Sequence, residues 1–117
     1  MARLTSTLDI MRPSIPADFL GYVQGEGVDA SSTQGDPGYF QLWALGELAG
    51  MNDSYHVDEN APGFVGFGSD GGGEMLAFDG SGAVYMIPFV GMCVGDAKKI
   101  ASSWNEVAAR ITVENDV

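Results

Sequence analysis

The sequence contains few positively charged residues. Its 117 residues include five Lys and Arg against sixteen Asp and Glu, which gives a formal net charge of −11. The 85 residues between Arg12 and Lys98 contain twelve acidic residues and no Lys or Arg. Because proteins bind phosphate groups mainly through Lys and Arg, this composition predicts a protein that binds neither nucleic acid nor anionic membranes.

The acidic excess has two interpretations. With so few cations in the chain, few internal ion pairs can form, and we expect the negative field not to be cancelled locally. Such a field attracts a positively charged partner protein and steers it over a range limited by salt. Solubility, or adaptation to a salty cytoplasm, explains the same composition without any partner.

Cysteine, long apolar runs and a leader pattern are also lacking. Cys93 is the only cysteine, which excludes an internal disulfide and suits a reducing cytoplasm. No apolar run reaches the roughly 18 residues of a membrane span, and the N-terminal sequence MARLTSTLDIMRPS has no apolar stretch of signal-peptide length. We therefore expect a cytoplasmic protein, and its length predicts a single domain over residues 1–117.

The clearest organisation lies between Gly63 and Phe89, in the sequence GFVGFGSDGGGEMLAFDGSGAVYMIPF. Three short apolar runs, at 64–67, 75–78 and 83–89, predict β-strands. The intervening residues 79–82, Asp-Gly-Ser-Gly, predict a hairpin turn because Gly adopts positive φ without steric cost. The loop 68–73 holds four glycines in six residues, so either the backbone turns sharply there or another group comes close to it.

Helices, a strand and polar connections are predicted before this centre. Pro16 suits the first turn of a helix, and Asp18 favours the same end through the helix dipole. That helix is expected to bury Phe19, Leu20 and Val23 and to end at 25–27. Aromatic and apolar residues are dense in 39–43, which is typical of a strand with at least one buried face. The other predictions are an amphipathic helix within 1–12, a surface loop over 28–38, a short helix over 45–49 and a polar connection over 52–60.

The segment after Phe89 contains an undecided region and a predicted helix. Residues 90–95 are apolar but interrupted by glycine, which leaves their conformation open. Asp96 is of a residue type that caps helices, and apolar residues at 100, 104, 107, 108 and 111 form one stripe of a helix after it. Lys98 and Lys99 then lie in the first turn, where the helix dipole disfavours cations. Either the acidic body compensates for this, or the lysines serve another purpose.

Patterns typical of enzymes and cofactor sites fail on their context. Residues 66–71 match G-x-G-x-x-G, but a dinucleotide loop needs a following helix, and a strand is predicted there. Asp70, Glu74 and Asp79 lack the spacing of a calcium loop, and turn chemistry explains the two aspartates. His56 has no triad partners at recognisable spacing, and apolar neighbours indicate that Cys93 is a buried, inert thiol. We therefore expect no enzymatic activity, no catalytic residue, no metal and no cofactor.

Several short motifs occur in a recognisable order along the chain. They are a proline helix entry at 15–20, Leu42-Trp43, Asn52, Tyr55, a glycine-aspartate centre at 64–74, and residues 101–104 in a final helix. Through these motifs, about residues 13–111 resemble the SUKH superfamily, which has a serine-aromatic pair at the last position and whose domain also occurs in a yeast cell-wall synthesis regulator. The chain departs from the family at 25–27, where members usually carry Asn-Gly, and in its weaker N-terminal helix. The resemblance implies an α+β fold, a mainly antiparallel sheet with helices packed on it.

The resemblance also implies a function. Many bacterial members look like immunity proteins that neutralise polymorphic or contact-dependent toxins, often nucleases. A nuclease active site is basic because it binds phosphates, so a compact acidic protein can occupy it through complementary charge and a few buried side chains. We expect a non-enzymatic module that binds a basic toxin domain through acidic residues in predicted loops, namely Asp29, Asp36, Asp58, Glu59, Asp70 and Glu74.

Two other function classes remain open on the sequence. The eukaryotic relatives suggest a regulatory or scaffolding interaction domain with several weak partners and no toxin. An enzyme or ligand-binding protein would instead use the loop 68–73. Trp43 and Trp104 are interpreted as core residues, whereas exposed aromatic side chains around an acidic face would indicate an interface.

Overall fold

The computed structural model describes residues 13–112, and these form one α+β domain around a six-stranded sheet. All neighbouring strands are antiparallel and adjacent in chain order, and the sheet curls into a half-barrel. The predicted fold class is confirmed. The elements are α1 (Ala17–Gln24), β1 (Ala30–Ser32), β2 (Tyr39–Leu42), a 3₁₀ turn (Leu45–Glu47), α2 (Leu48–Ser54), α3 (Val57–Asn60), β3 (Val65–Ser69), β4 (Glu74–Phe78), β5 (Val84–Pro88), a second 3₁₀ turn (Val94–Asp96), β6 (Lys98–Ala101) and α4 (Trp104–Ala108).

One face of the sheet carries the larger apolar core. Alternation along β4 places Leu76 and Phe78 on this face, where α1 and α4 cover them. Phe19 of α1 and Trp104 of α4 are fully buried, with ring centroids 5.2 Å apart and planes at 88°. Phe67 of β3 packs against Phe19 at 4.9 Å. Burying a large apolar side chain contributes about 2–3 kcal/mol, so this aromatic cluster is a major source of stability.

The opposite face carries a smaller core. The same alternation places Met75, Ala77 and Ile87 there, and all three are fully buried. Val57 of α3 and Phe64, just before β3, pack over them. This face is therefore covered by α3 and connecting segments, whereas α1, α4 and Leu48 of α2 pack on the other face.

The strands predicted in the centre of the chain are present as β3, β4 and β5. The register between β3 and β4 shifts between Gly66 and Gly68, a bulge in β3. In the turn after β3, both explanations of the glycine-rich loop hold at Gly71. Its φ is +81°, and a Cβ there would lie 2.9 Å from Cδ2 of the Tyr39 ring.

The helix predicted after Pro16 and the strand predicted over 39–43 are also present. α1 ends at Gln24, before the predicted stop, and buries Phe19 completely, with Val23 half-buried. β2 buries Phe40 on the larger core and exposes Tyr39 and Gln41 on the other side. Both elements lie where the residues that favour a helix or a strand are also the residues that the fold buries.

The helix predicted from Asp96 is wrong in its first half. Residues 98–101 form β6, which pairs antiparallel with β5, and the helix begins only at Trp104. The unpaired edge of β5 offers backbone partners that helical spacing in the sequence does not reveal. Lys98 and Lys99 lie in a strand, so their predicted conflict with the helix dipole does not arise.

Ser103, and not Asp96, caps α4. Its Oγ accepts a hydrogen bond from the Glu106 N–H at 3.3 Å. Glu106 Oε1 in turn accepts from the Ser102 N–H at 2.8 Å. This reciprocal arrangement satisfies backbone donors at the start of the helix, as a Ser or Thr followed three residues later by Glu commonly does.

Two segments predicted to be irregular contain regular structure. Ala30–Ser32, inside the predicted loop 28–38, pairs with β2, and α3 lies inside the predicted connection 52–60. The short helix predicted over 45–49 is present as the 3₁₀ turn and α2, which continues past Gly50 to Ser54. Contacts with the rest of the domain, rather than local propensity, determine the conformation of β1 and α3.

Two further predictions concern the ends of the chain and the thiol. The helix predicted within 1–12 lies outside the described residues. The undecided region 90–95 is a turn followed by the second 3₁₀ turn. Cys93 is exposed, with its Sγ 3.4 Å from Asp96 Oδ2, so the prediction of a buried thiol is wrong.

Candidate protein-binding surface

The six predicted acidic residues are divided between the two ends of the sheet. Successive turns of an antiparallel meander lie at alternate ends of its strands. The β1–β2 turn with Asp36 and the β3–β4 turn with Asp70 therefore share one end, and Glu74 opens β4 beside them. Asp29, before β1, and residues 58–59, in the β2–β3 connection, belong to the other end.

Asp36 is partly neutralised, which the sequence did not suggest. Its Oδ2 lies 3.1 Å from Lys98 Nζ, and its backbone oxygen accepts a hydrogen bond from Arg110 Nη1 at 2.8 Å. The bridge between Thr33 and Ile111 brings the segment after α4 beside the β1–β2 turn. Cations distant in sequence thus return to this acidic residue, so the expectation that the field is nowhere cancelled locally is wrong at Asp36.

Asp70 uses its carboxylate to shape its own turn. Asp70 Oδ1 accepts hydrogen bonds from the backbone N–H of Gly72 at 2.8 Å and of Glu74 at 3.2 Å. Glu74 follows as the half-buried first residue of β4. The glycine-rich loop leads into a strand, so it lacks the helix N-terminus on which a dinucleotide loop places a pyrophosphate.

Asp58 and Glu59 lie on α3, at the other end of the sheet. His56 turns the chain into this helix with a left-handed φ of 56°. Its Nδ1 lies 3.6 Å from Glu59 Oε1, an exposed ion pair when the histidine is protonated. An open cavity of about 270 Å³ is lined here by Asn52, Asp53, His56, Asp58 and Glu59.

Three aromatic side chains that were not grouped on the sequence form a surface beside the smaller core, and Trp43 also packs against the larger core. In this aromatic patch (Trp43, Tyr55 and Phe89), Tyr55 is 39% exposed and the other two are half-buried. Tyr55 stacks on Trp43 with centroids 5.8 Å apart and planes at 12°, and lies 4.7 Å from Phe89. Trp43 is therefore not an ordinary core residue.

Gly66 in β3 lacks a side chain and so leaves room for the Trp43 ring of the aromatic patch to lie against the sheet. A Cβ at Gly66 would lie 3.1 Å from the Trp43 ring and 2.6 Å from Met75 Sδ. Close approach of another group, the second explanation offered for the glycine-rich loop, thus also applies to Gly66 within β3. That signal was present in the sequence, although it does not say which ring approaches.

A larger cavity, of about 480 Å³, adjoins Trp43. We name it the Trp43 cavity. Its two carboxylates, Asp29 and Glu47, are exposed, and no cationic side chain is among the described residues that line it. Asp29 was predicted as a site residue, whereas Glu47 was not. The described lining consists of Val23, Asp29, Leu42, Trp43, Ala44, Leu45 and Glu47.

Backbone and side-chain contacts hold Asp29 in position at this cavity. The Leu42 N–H donates a hydrogen bond to the Asp29 backbone oxygen at 2.8 Å. The Tyr22 hydroxyl donates to the backbone oxygen of Val28 at 2.8 Å, which ties α1 to the residue before Asp29. Burial raises the pKa of Tyr22, and the nearby Asp29 carboxylate raises that pKa further.

Asn52, which also lines the cavity of about 270 Å³, connects α2 to the sheet. It is 1% exposed, and its Nδ2 donates to the backbone oxygens of Leu48 at 2.8 Å and Gly66 at 2.9 Å. Its Oδ1 accepts from the Gly66 N–H at 2.7 Å. The side chain thus satisfies the backbone of β3 beside the bulge, where strand pairing is interrupted.

Asp79 forms a separate network in the β4–β5 turn. Partial burial acts to raise the pKa of Asp79, but hydrogen bonds from Ser81, Ala83 and Tyr85 outweigh this and hold that pKa below its ordinary value. Burial, followed by the charge of Asp79, raises the pKa of Tyr85. This network stabilises a hairpin and was not among the predicted site residues.

Metal-ligand geometry, helix length and similarity to known proteins assign no further site to the described residues. Within residues 13–112, no group of three or more His, Cys, Asp or Glu is placed to hold a metal ion. None of the helices in that range has the length and apolar character needed to cross a bilayer. The chain matches no protein-family model and no curated protein.

Proposed function

We propose that this protein is a non-enzymatic binding module of the immunity type, which neutralises a basic bacterial toxin domain by occupying its positively charged surface. The observation that carries the proposal is the distribution of charge. Among residues 13–112, the cations are Lys98, Lys99 and Arg110, all in β6 or just after α4. Two of them contact Asp36, whereas the Trp43 cavity at the other end of the sheet has carboxylates and no cation among its described lining.

Such a module needs no chemistry of its own. Complementary potentials accelerate the encounter with a basic partner and disfavour acidic ones. Aromatic side chains that become buried in the complex then contribute a large share of the affinity. The aromatic patch supplies such side chains beside acidic cavities, and the resemblance to SUKH immunity proteins supports the same interpretation.

The test uses a basic protein encoded beside this one in its genome. Expressed alone, that protein is expected to arrest growth of a bacterial host, and co-expression of the acidic chain is expected to restore growth. Calorimetry should show a one-to-one complex. Its association rate is expected to fall by about tenfold or more between about 50 and 500 mM salt, because screening shortens the range of attraction.

Two controls separate this function from the alternatives. Mass spectrometry of the recovered partner should show an unmodified chain, since a covalent change would indicate an enzyme. A salt-independent association rate, or a neutral or acidic partner, would contradict the proposal. Several weak partners without growth rescue would point to a regulatory or scaffolding domain instead.

A further inference from the structure

The Trp43 cavity has the dimensions and the wall chemistry of a side-chain receptor. Its volume of about 480 Å³ falls within the range of about 300–1,000 Å³ typical of small-ligand pockets. Stacking on Tyr55 and close approach to Gly66 fix the position of the Trp43 indole. The ring is thus preorganised, which lowers the entropy lost when a ligand binds.

Two acidic residues from different parts of the chain line the cavity. Asp29 precedes β1, and Glu47 ends the 3₁₀ turn after β2. The hydrogen bond from the Leu42 N–H to the Asp29 backbone oxygen holds the Asp29 backbone beside the end of β2. A cation placed in the cavity would be attracted by both charges, whereas an anion would be repelled by both.

We infer that the Trp43 cavity receives an arginine side chain of the basic partner. A planar guanidinium stacks on an indole and binds carboxylates in a bidentate manner, so it uses the ring and both acids together. Its alkyl stem packs against the apolar wall formed by Val23, Leu42 and Leu45. An ammonium group is a compact, strongly hydrated charge without a flat face, so lysine fits the cavity less well.

The inference rests on the proposed function for the existence of a basic partner, but a small probe tests the cavity independently. The probe is the blocked pentapeptide Gly-Gly-Arg-Gly-Gly, compared with the same peptide carrying lysine or citrulline. Citrulline keeps the shape of arginine and removes its charge. The titration is run at about 0.15 M salt, where the Debye length of about 8 Å limits general attraction to the acidic surface.

The readout is the indole N–H signal of each tryptophan in a proton–nitrogen NMR spectrum. Trp43 lines the cavity and Trp104 is fully buried, so the two signals give a reporter and an internal control. The arginine peptide is expected to shift the Trp43 signal saturably and leave the Trp104 signal unchanged. The lysine peptide should bind at least about threefold more weakly, and citrulline should cause no saturable shift.

Charge-matched variants locate the interaction. Asp29→Asn and Glu47→Gln are each expected to weaken the arginine peptide about threefold to fivefold. Asp96→Asn removes the same charge from the exposed β5–β6 connection and is expected to change the affinity by less than about twofold. Trp43→Leu keeps the acids and removes the ring, so its titrations are followed on the backbone N–H signals of Ala44 and Leu45, which also line the cavity. It should weaken arginine more than lysine.

Three outcomes would overturn the inference, and they are distinct from failure of the proposed function. These are equal weakening by Asp96→Asn and Asp29→Asn, equal affinity for arginine and lysine peptides, and an unmoved Trp43 signal at saturation. If a toxin partner is neutralised but Asp29→Asn and Glu47→Gln leave its affinity unchanged, the cavity is not the receptor and the proposed function stands. If the peptide results are as expected but no basic partner is found, the cavity stands and the proposed function fails.

Discussion

Both faces of the sheet carry aromatic residues, but the two faces bury these residues to different degrees. On the face covered by α1 and α4, Phe19, Phe67 and Trp104 are all 0% exposed. On the opposite face, Tyr55 is 39% exposed and its neighbours Trp43 and Phe89 are only half-buried. Aromatic content does not distinguish the faces, since both are rich in rings. What differs is the cover: α1, α4 and Leu48 of α2 pack on one side, and α3 with connecting segments packs on the other.

The comparison shows how a small domain can place closed aromatic packing and partly exposed rings on opposite faces. Closed aromatic packing on the first face stabilises the fold. On the second face, the Trp43 ring lies against Gly66 of β3, whose backbone is hydrogen-bonded to Asn52. Part of the surface of the rings there remains exposed to solvent. Exposed aromatic side chains next to acidic cavities are features of interfaces rather than of cores.

The largest expected effect comes from truncating the two tryptophans. Trp104→Ala should lower the free energy of unfolding by about 3–5 kcal/mol, because it empties a fully buried site. Trp43→Ala should lower it by only about 1–2 kcal/mol, because part of that ring already contacts solvent. Urea denaturation followed by circular dichroism measures both. Trp104→Phe is the milder variant if the alanine variant does not fold, and equal losses at positions 104 and 43 would break the comparison.

The hydrogen bonds of Asn52, which join α2 to β3, give the next largest effect. Asn52→Ala should lower the free energy of unfolding by about 2 kcal/mol, because it leaves buried backbone groups of Gly66 without partners. Asn52→Asp retains an acceptor for the Gly66 N–H but loses the donor to the Gly66 oxygen, so it should not restore full stability. Thermal unfolding of the three proteins in parallel tests this. A loss below about 0.5 kcal/mol for Asn52→Ala would show that α2 is held by apolar contacts alone.

The smallest effect concerns the β4–β5 turn and depends on pH. Because the pKa of Asp79 is lower in the folded state, its ionised carboxylate stabilises the fold above its unfolded-state pKa of about 3.9. This stabilisation is lost as the pH falls through the folded-state pKa. Asp79→Asn should therefore reduce stability at neutral pH by about 0.5 kcal/mol, a small amount because solvent screens the group.

The Asp79→Asn variant and the wild type should converge in acid. Urea midpoints measured from about pH 7 down to about pH 2 should differ most at neutral pH and least at the acidic end. Glu26→Gln, at an exposed position, controls for the removal of one negative charge. A constant difference between wild type and Asp79→Asn across this range would show that the network of Ser81, Ala83 and Tyr85 does not stabilise the ionised form.

The predictions that held depend on local chemistry. Glycine and aspartate turns at 68–73 and 79–82 mark the ends of β3, β4 and β5, because turn residues act within four positions. The edge strands β1 and β6 were missed because Ala30–Ser32 is short and polar and 98–101 shares its apolar spacing with a helix. Both are held by pairing with a neighbouring strand, a contact that no local pattern contains.

The candidate site follows the same division. Asp29 was predicted from its charge and its position in a predicted loop, and it lines the Trp43 cavity. Glu47 and the aromatic patch were not identified, since positions 43, 55 and 89 come together only through the order of strands and the crossing of the β2–β3 connection. Asp36 was identified, yet Lys98 returns to it from 62 positions further along the chain.

By itself the sequence determined the acidic charge, the shortage of cations and the central hairpins, because composition and turn chemistry are properties of the chain at short range. The tertiary structure alone decided which carboxylates are neutralised, which rings stay exposed and where two acidic residues line one cavity with a tryptophan. Those outcomes depend on strand pairing and helix cover, which join residues that are remote in sequence.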